Sequence, residues 1–129
     1  MPKSTLNSPQ APAAVGPYAH AAIAGGWVCL SAQFPLDPAT GQRVDGGIEA
    51  QTRRVLDNIK AVLQTAGLSM SDVVRVTVML QDLADFQAMN AVYASYFPQN
   101  PPARSCFQAA RLPKDSLVGM DAMAWAGGR

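Results

Sequence analysis

Within NPPARSCFQAARLPKD the side chains alternate, so that Arg104, Cys106 and Gln108 share one face of an extended strand and Ala103, Ser105 and Phe107 the other. An arginine beside residue types that are usually buried calls for an anion, because an unpaired buried charge is heavily destabilising. Two sources fit: a carboxylate of the protein, giving a structural salt bridge, or the carboxylate of a ligand. A guanidinium grips a planar carboxylate through two charge-assisted hydrogen bonds, where a lysine offers only a point charge. LVGMDAMAW, near the end of the chain, holds a similar anomaly: Asp121 stands among apolar residues, on the face of Leu117, Gly119, Met123 and Trp125. It either pairs with Arg104 or stands beside a ligand that Arg104 holds.

Other chemistries find little support. His20 is the only histidine, so a Ser-His-Asp or Cys-His arrangement would have to run through it. In YAHAAIAGG it reads instead as a surface or strand-edge group. No His, Cys and carboxylate set has metal-ligand spacing, and neither GxxxxGK[ST] nor GxGxxG occurs, so no metal or cofactor is expected. The six methionines and most aromatic residues read as core or interface filler. A net charge of +1 lacks the basic excess of a phosphate-backbone binder, so nucleic acid is not expected as a partner. No apolar run suits a signal peptide or a membrane span, which predicts a cytoplasmic protein without a membrane partner. Cys29 and Cys106 lie in apolar runs and are expected as reduced, mostly buried thiols.

The elements that must position these residues are legible in outline. A chain of 129 residues, 49% hydrophobic, predicts a single domain over residues 1–129 with a loose N-terminal arm at 1–12. Gly25-Gly26 separates two short apolar runs as in a hairpin, its second strand running from Trp27 to about Ala32. Turn residues fill FPLDPATGQRVDGG, and Ile48 to Ala66 has the apolar spacing of a helix ended by Gly67. DVVRVTVML alternates, placing Val74, Val76, Val78 and Leu80 opposite Arg75 and Thr77. Asp82 suits the cap of a second helix from Leu83 to about Phe97, and strands are expected over Ala103 to Ala109 and Leu117 to Trp125. The order β-β-α-β-α-β-β predicts an α+β sandwich with two helices on one face of one sheet. The opposite face is not consistently polar: Trp27 and Cys29 lie with Ser31, and Leu117, Met123 and Trp125 with Asp121. Such a face predicts a homo-oligomer.

GPYAHA, DNIKAVL, MNAVY and PPARSC, in this order and in register from about Ala11 to Trp125, resemble the Rid family, the RidA/YjgF-type reactive intermediate deaminases. The resemblance implies a chorismate-mutase-like fold with one mixed sheet, assembled as a homotrimer with ligand clefts between subunits. It implies hydrolytic deamination of reactive 2-imino or enamine acids to 2-keto acids and ammonia, a metabolite damage-control reaction of the 2-iminobutanoate/2-iminopropanoate type, without cofactor or metal. The carboxylate-binding arginine falls on Arg104, the pocket thiol on Cys106, the tyrosine on Tyr18, the serine on Ser31 and the asparagine on Asn90. Two positions differ. Asp121 stands where deaminase-type members carry the glutamate that orients water, and Ala32 where the family usually has glycine. The shorter carboxylate leaves a second reading, a non-catalytic trimeric binder of small carboxylates such as 2-keto acids. An RNA-directed activity, attached to some relatives, gains nothing from the near-neutral charge.

Overall fold

The computed structural model describes residues 2–127, so Met1 of the expected arm, and Gly128 and Arg129 at the other end of the expected domain, lie outside the described residues. Six strands form one mixed sheet: β1 (Ser4–Leu6), β2 (Ala21–Ala24), β3 (Trp27–Gln33), β4 (Val73–Leu80), β5 (Ala103–Gln108) and β6 (Val118–Trp125). Two helices, α1 (Gly47–Thr65) and α2 (Phe86–Tyr96), join them. The strand order is β1-β2-β3-β6-β4-β5. Every neighbouring pair is antiparallel except β4 and β5, which run parallel because α2 carries the chain back between them. The last two strands are therefore not a hairpin: β6 inserts between β3 and β4 while β5 takes the edge.

One face of the sheet carries the core. Val28, Leu30, Val76, Val78, Leu80, Val118, Met120, Ala122 and Ala124 are buried with Val55, Leu56, Ile59, Val62 and Leu63 of α1 and Met89, Val92 and Tyr93 of α2. The α1 periodicity produces that apolar stripe directly, and Gly67, at φ 78°, ends the helix. Leu68 N–H donates to Leu63 O at 2.8 Å and Gly67 N–H to Gln64 O at 3.0 Å, satisfying carbonyls of the last turn. The helices are also tied by Tyr96, whose hydroxyl donates to Asp57 Oδ1 at 2.7 Å. Burial, together with that carboxylate, pushes the Tyr96 phenol up to about 12. None of the helices among the described residues is long and apolar enough to cross a membrane.

Four expectations need correction. The described part of the expected arm, residues 2–12, is not loose: Ser4–Leu6 pairs antiparallel with β2, adding a strand at the front of the predicted order. The anchor is His20, buried rather than at a surface or edge; its Nδ1 accepts from Ser8 N–H at 2.9 Å and its Nε2 lies 2.7 Å from Pro12 O. Val74 does not join the core face, because a register shift between Val73 and Arg75 turns Val73 inward and leaves Val74 exposed. Both cysteines are free thiols, but Cys29 is exposed on the open face and Cys106 only half-buried.

Glycine matters sterically at Gly119 in β6, where an added Cβ would lie 2.5 Å from Cε1 of the Phe34 ring. The ring rests on the bare backbone there. Gly119→Ala is accordingly expected to destabilise the chain by about 1–3 kcal/mol, the usual cost of overpacking. Urea denaturation measures it, and an unchanged midpoint contradicts this account of the Phe34 contact.

Candidate functional site

Arg104 lies on β5, in register with Val76 and therefore with Ala122, which places it on the helix-covered face. Its guanidinium is held from α2: Nη1 donates to Asn90 Oδ1 at 2.6 Å, and Cζ sits 4.8 Å from the Tyr93 ring centroid and 5.4 Å from that of Phe86. Asn90 and Tyr93 project together because they are three residues apart on one helix. The anion that the sequence demands is absent from this set; a neutral amide oxygen and two π faces hold the cation. The two ion pairs among the described residues, Arg43–Asp45 and Arg111–Asp115, involve neither Arg104 nor Asp121.

Cys106 follows two residues on, in register with Val78, and packs against the core beside Arg104. Burial pushes its thiol above the usual range, and the Arg104 guanidinium partly offsets that rise. Tyr93 responds in the same way, raised by burial and lowered by Arg104. The positive charge of Arg104 thus reaches both neighbours.

The remaining expected residues lie elsewhere. Tyr18, Ser31 and Ala32 line a cavity of about 390 Å³ with Val15, Phe34, Leu36, Pro113 and Lys114. It adjoins a chamber of about 400 Å³ that shares Tyr18, Ala32, Phe34 and Lys114. Ser31 Oγ donates to Ala19 O at 2.7 Å, and Ser31 N–H to His20 O at 2.9 Å, so the strand fixes the segment that delivers Tyr18. Asp121 sits across from this segment. Leu30 pairs with Ala122 and Gln33 with Met120, so Ser31 and Ala32 together oppose Asp121 in a β-bulge. Its register with Thr77, and of Thr77 with Ser105, sets Asp121 on the open face.

Arg104 and Asp121 therefore occupy opposite faces of the sheet, and the intrachain pair considered from sequence does not form. From β5 to β3 is three strand spacings, about 14 Å. One chain thus presents two separate halves: Arg104, Asn90 and Cys106 at one edge, and Tyr18, Ser31 and Ala32 at the cavity, with Asp121 beside the bulge. The open face exposes Trp27, Val74, Phe107 and Trp125, and the two tryptophan rings meet at a tilt of 59° with centroids 4.7 Å apart.

Several positioning groups escape a sequence reading. Asn58 Nδ2 donates to Phe34 O at 3.1 Å and Leu36 O at 3.0 Å, holding the cavity loop onto α1. Gln51 bridges Val44 O and Leu117 N–H. Both are amides on the apolar stripe of α1, which is the signal that could have singled them out. Lys114, in the turn before β6, lines both chambers and carries no such signal.

Comparison with known proteins joins these halves to a family. The family described as Endoribonuclease L-PSP matches residues 8–126. A RutC family protein of Pyrococcus abyssi is 47% identical over 97% of this chain and 98% of its own. The 2-iminobutanoate/2-iminopropanoate deaminase of Escherichia coli K12 is 42% identical over 93% and 95%. This chain belongs to the Rid family. Among solved Rid structures, the YjgF gene product of E. coli superposes with a TM-score of 0.90 at 40% identity, covering 95% of this chain and 98% of that one. E. coli TdcF, solved with bound serine, gives a TM-score of 0.90 at 38% identity over the same shares. The Rid resemblance in the sequence and the α+β architecture of one mixed sheet with two helices are thereby established.

The titration of Cys106 offers a direct check on the Arg104 half. In a Cys29→Ser chain, alkylation of Cys106 by iodoacetamide should keep accelerating above pH 9.0, the ordinary thiol value, because burial delays the thiolate. A rate that levels off below pH 9.0 contradicts the burial assigned to this thiol.

Proposed function

We propose that this Rid protein hydrolyses 2-imino acids, or their enamine tautomers, to 2-keto acids and ammonia, at a site assembled between two copies of the chain in a homotrimer. The observation that carries the reading is the Arg104 guanidinium, held by Asn90 and two aromatic faces with no carboxylate beside it. Most of its donors point toward no described partner, which suits a planar carboxylate from a ligand. The E. coli deaminase at 42% identity supports the same chemistry.

In this reading Arg104, Asn90 and Cys106 of one copy meet Tyr18, Ser31, Ala32 and Asp121 of another. Arg104 clamps the substrate carboxylate, which fixes the imine carbon next to it. Asp121 takes a proton from water as its oxygen attacks the carbon of the protonated imine and the C=N π pair moves to nitrogen. Asp121 then returns that proton to the amine of the carbinolamine, and ammonia leaves as the hydroxyl loses its proton and the keto C=O forms. The apolar walls at Val15, Phe34, Leu36 and Pro113 receive the side chain. No cofactor or metal takes part. Covering the remaining exposed surface of Trp27, Val74, Phe107 and Trp125, each already more than half buried, would favour association by roughly half the 1.5–3 kcal/mol of a fully buried large side chain in each case. A site of this kind needs only modest positional and electrostatic help, because imines already hydrolyse in water.

A second reading rests on Asp121. One methylene fewer than glutamate withdraws the carboxylate by about 1.5 Å, and a misplacement of about 1 Å can cost on the order of a hundredfold. On that reading the assembly holds 2-keto acids without hydrolysing their imines. RNA cleavage, named in the family description, has less behind it. The net charge is +1, and the sole histidine is committed to Ser8 and Pro12 in the interior.

Imino acid generated in situ by an amino-acid oxidase, with and without the protein, separates these readings. Faster keto-acid release is expected, with Arg104→Ala abolishing both the acceleration and keto-acid binding. Binding without acceleration selects the second reading. Asp121→Glu should raise the hydrolytic rate by about tenfold or more, toward the hundredfold that full repositioning allows. An equal or lower rate contradicts the assignment of Asp121 to water.

A further inference from the structure

Three non-glycine residues among those described have positive φ, and two of them are consecutive: Lys114 at 56° and Asp115 at 54°. The left-handed region is unfavourable for any residue with a Cβ, and such conformations persist only where the surroundings enforce them. Here the enforcing group is visible. Arg43, in the loop after β3, donates from Nη1 to Lys114 O at 3.1 Å and to Asp115 O at 2.9 Å, the carbonyls of the two strained residues. Lys114 returns the contact, its Nζ donating to Gly41 O at 2.7 Å. Ser116, fully buried just beyond, ties its hydroxyl to Pro113 O at 2.6 Å and fixes the exit of the turn.

These bonds cross the rim of the cavity. Pro113 and Lys114 line the cavity of about 390 Å³, whereas Gly41 and Lys114 line the adjoining chamber of about 400 Å³, so the strap from Gly41 and Arg43 to the 113–115 turn borders both. Phe34 and Leu36, which line the same cavity, are held by Asn58 and by pairing of their backbone with the Arg43 segment, where Leu36 bridges Arg43 and Val44 N–H donates to Pro35 O at 2.9 Å. The Arg43 side chain thus links this wall to the turn. The distance between that wall and the strained turn sets the width available to a side chain, and of the groups on the turn, Arg43, Arg111, Lys114 and Ser116, it is Arg43 that bonds the carbonyls of both strained residues. Among the described residues Arg43 bonds to Lys114, Asp115, Asp45 and Leu36, and to none of Arg104, Asn90 or Cys106.

We propose that Arg43 is a positioning residue that sets the size limit for the ligand side chain, by holding the Lys114–Asp115 turn against its preferred backbone conformation. The inference rests on the reading of this cavity as the side-chain pocket. With the clamp removed, the turn relaxes outward and the pocket admits bulkier 2-keto and 2-imino acids, while the carboxylate clamp at Arg104 is untouched.

The test uses the full chain, wild type and Arg43→Ala and Arg43→Lys variants, with 2-ketobutyrate as the small probe and phenylpyruvate as the bulky one. Affinities are measured by calorimetry, and hydrolysis of the two matching imines is followed in parallel. Arg43→Ala is expected to raise the ratio of phenylpyruvate to 2-ketobutyrate affinity by about tenfold, the scale on which apolar pockets discriminate size. Arg43→Lys, which still offers a donor to one carbonyl, should shift it less. Trypsin should also cut the 111–115 turn faster in Arg43→Ala. A gain for the bulky acid cannot arise from lost folding, which would weaken both probes. An unchanged ratio overturns the proposal, even if hydrolysis proceeds as expected. A shifted ratio without any hydrolysis upholds it and overturns the hydrolytic function instead. Failure of both probes to bind the wild-type chain overturns both.

Discussion

The rest of the structure turns on how the Arg104 charge is held. A guanidinium on an edge strand, between the amide oxygen of Asn90 and the rings of Tyr93 and Phe86, is positioned without being neutralised. An ion pair would have satisfied the charge and closed the site to ligands. The neutral cradle instead fixes direction without a compensating carboxylate, and the Arg104 charge offsets part of the rise that burial imposes on Cys106 and Tyr93. Anion recognition is the natural use of such a group, and the proposed function then requires that the rest of the chemistry come to Arg104 from outside its own chain's cavity.

That requirement follows from sheet order. With β6 and β4 between β3 and β5, Arg104 and the Tyr18 cavity are held apart by the most extensively paired strands of the fold. The exposed face that carries Trp27, Trp125 and Phe107 is then the natural contact surface, and association would serve both to cover it and to complete the site.

Much of this was legible in the sequence, and the limits have physical causes. The α1 periodicity, its Gly67 terminus and the Gly25-Gly26 hairpin are local signals and fell where expected. Within β5 and β6 the alternation also held, so Arg104 shares a face with Cys106, and Asp121 with Met123. What alternation cannot supply is the relation between faces of different strands, which depends on pairing register; hence Arg104 and Asp121 looked like partners and are not. The N-terminal strand was missed because Ser-Thr-Leu between polar and proline-rich stretches has no apolar pattern. It is held by backbone pairing and by the His20 ring, neither of which has a periodic signature. The Val73–Arg75 shift is likewise a tertiary accommodation. Arg43 and Lys114 were unreadable, since their significance lies in bonds between loops about 70 residues apart.

The central claim is that Arg104 of one copy completes the cavity of another, and subunit complementation tests it most directly. Arg104→Ala and Tyr18→Ala chains, each inactive when assembled alone, are unfolded, mixed and refolded together, and keto-acid release from in situ imine is compared with the wild-type rate. The account predicts that activity returns in the mixture, because some sites then pair an intact Arg104 with an intact Tyr18. Mixed assemblies that form but remain as inactive as either parent would contradict it.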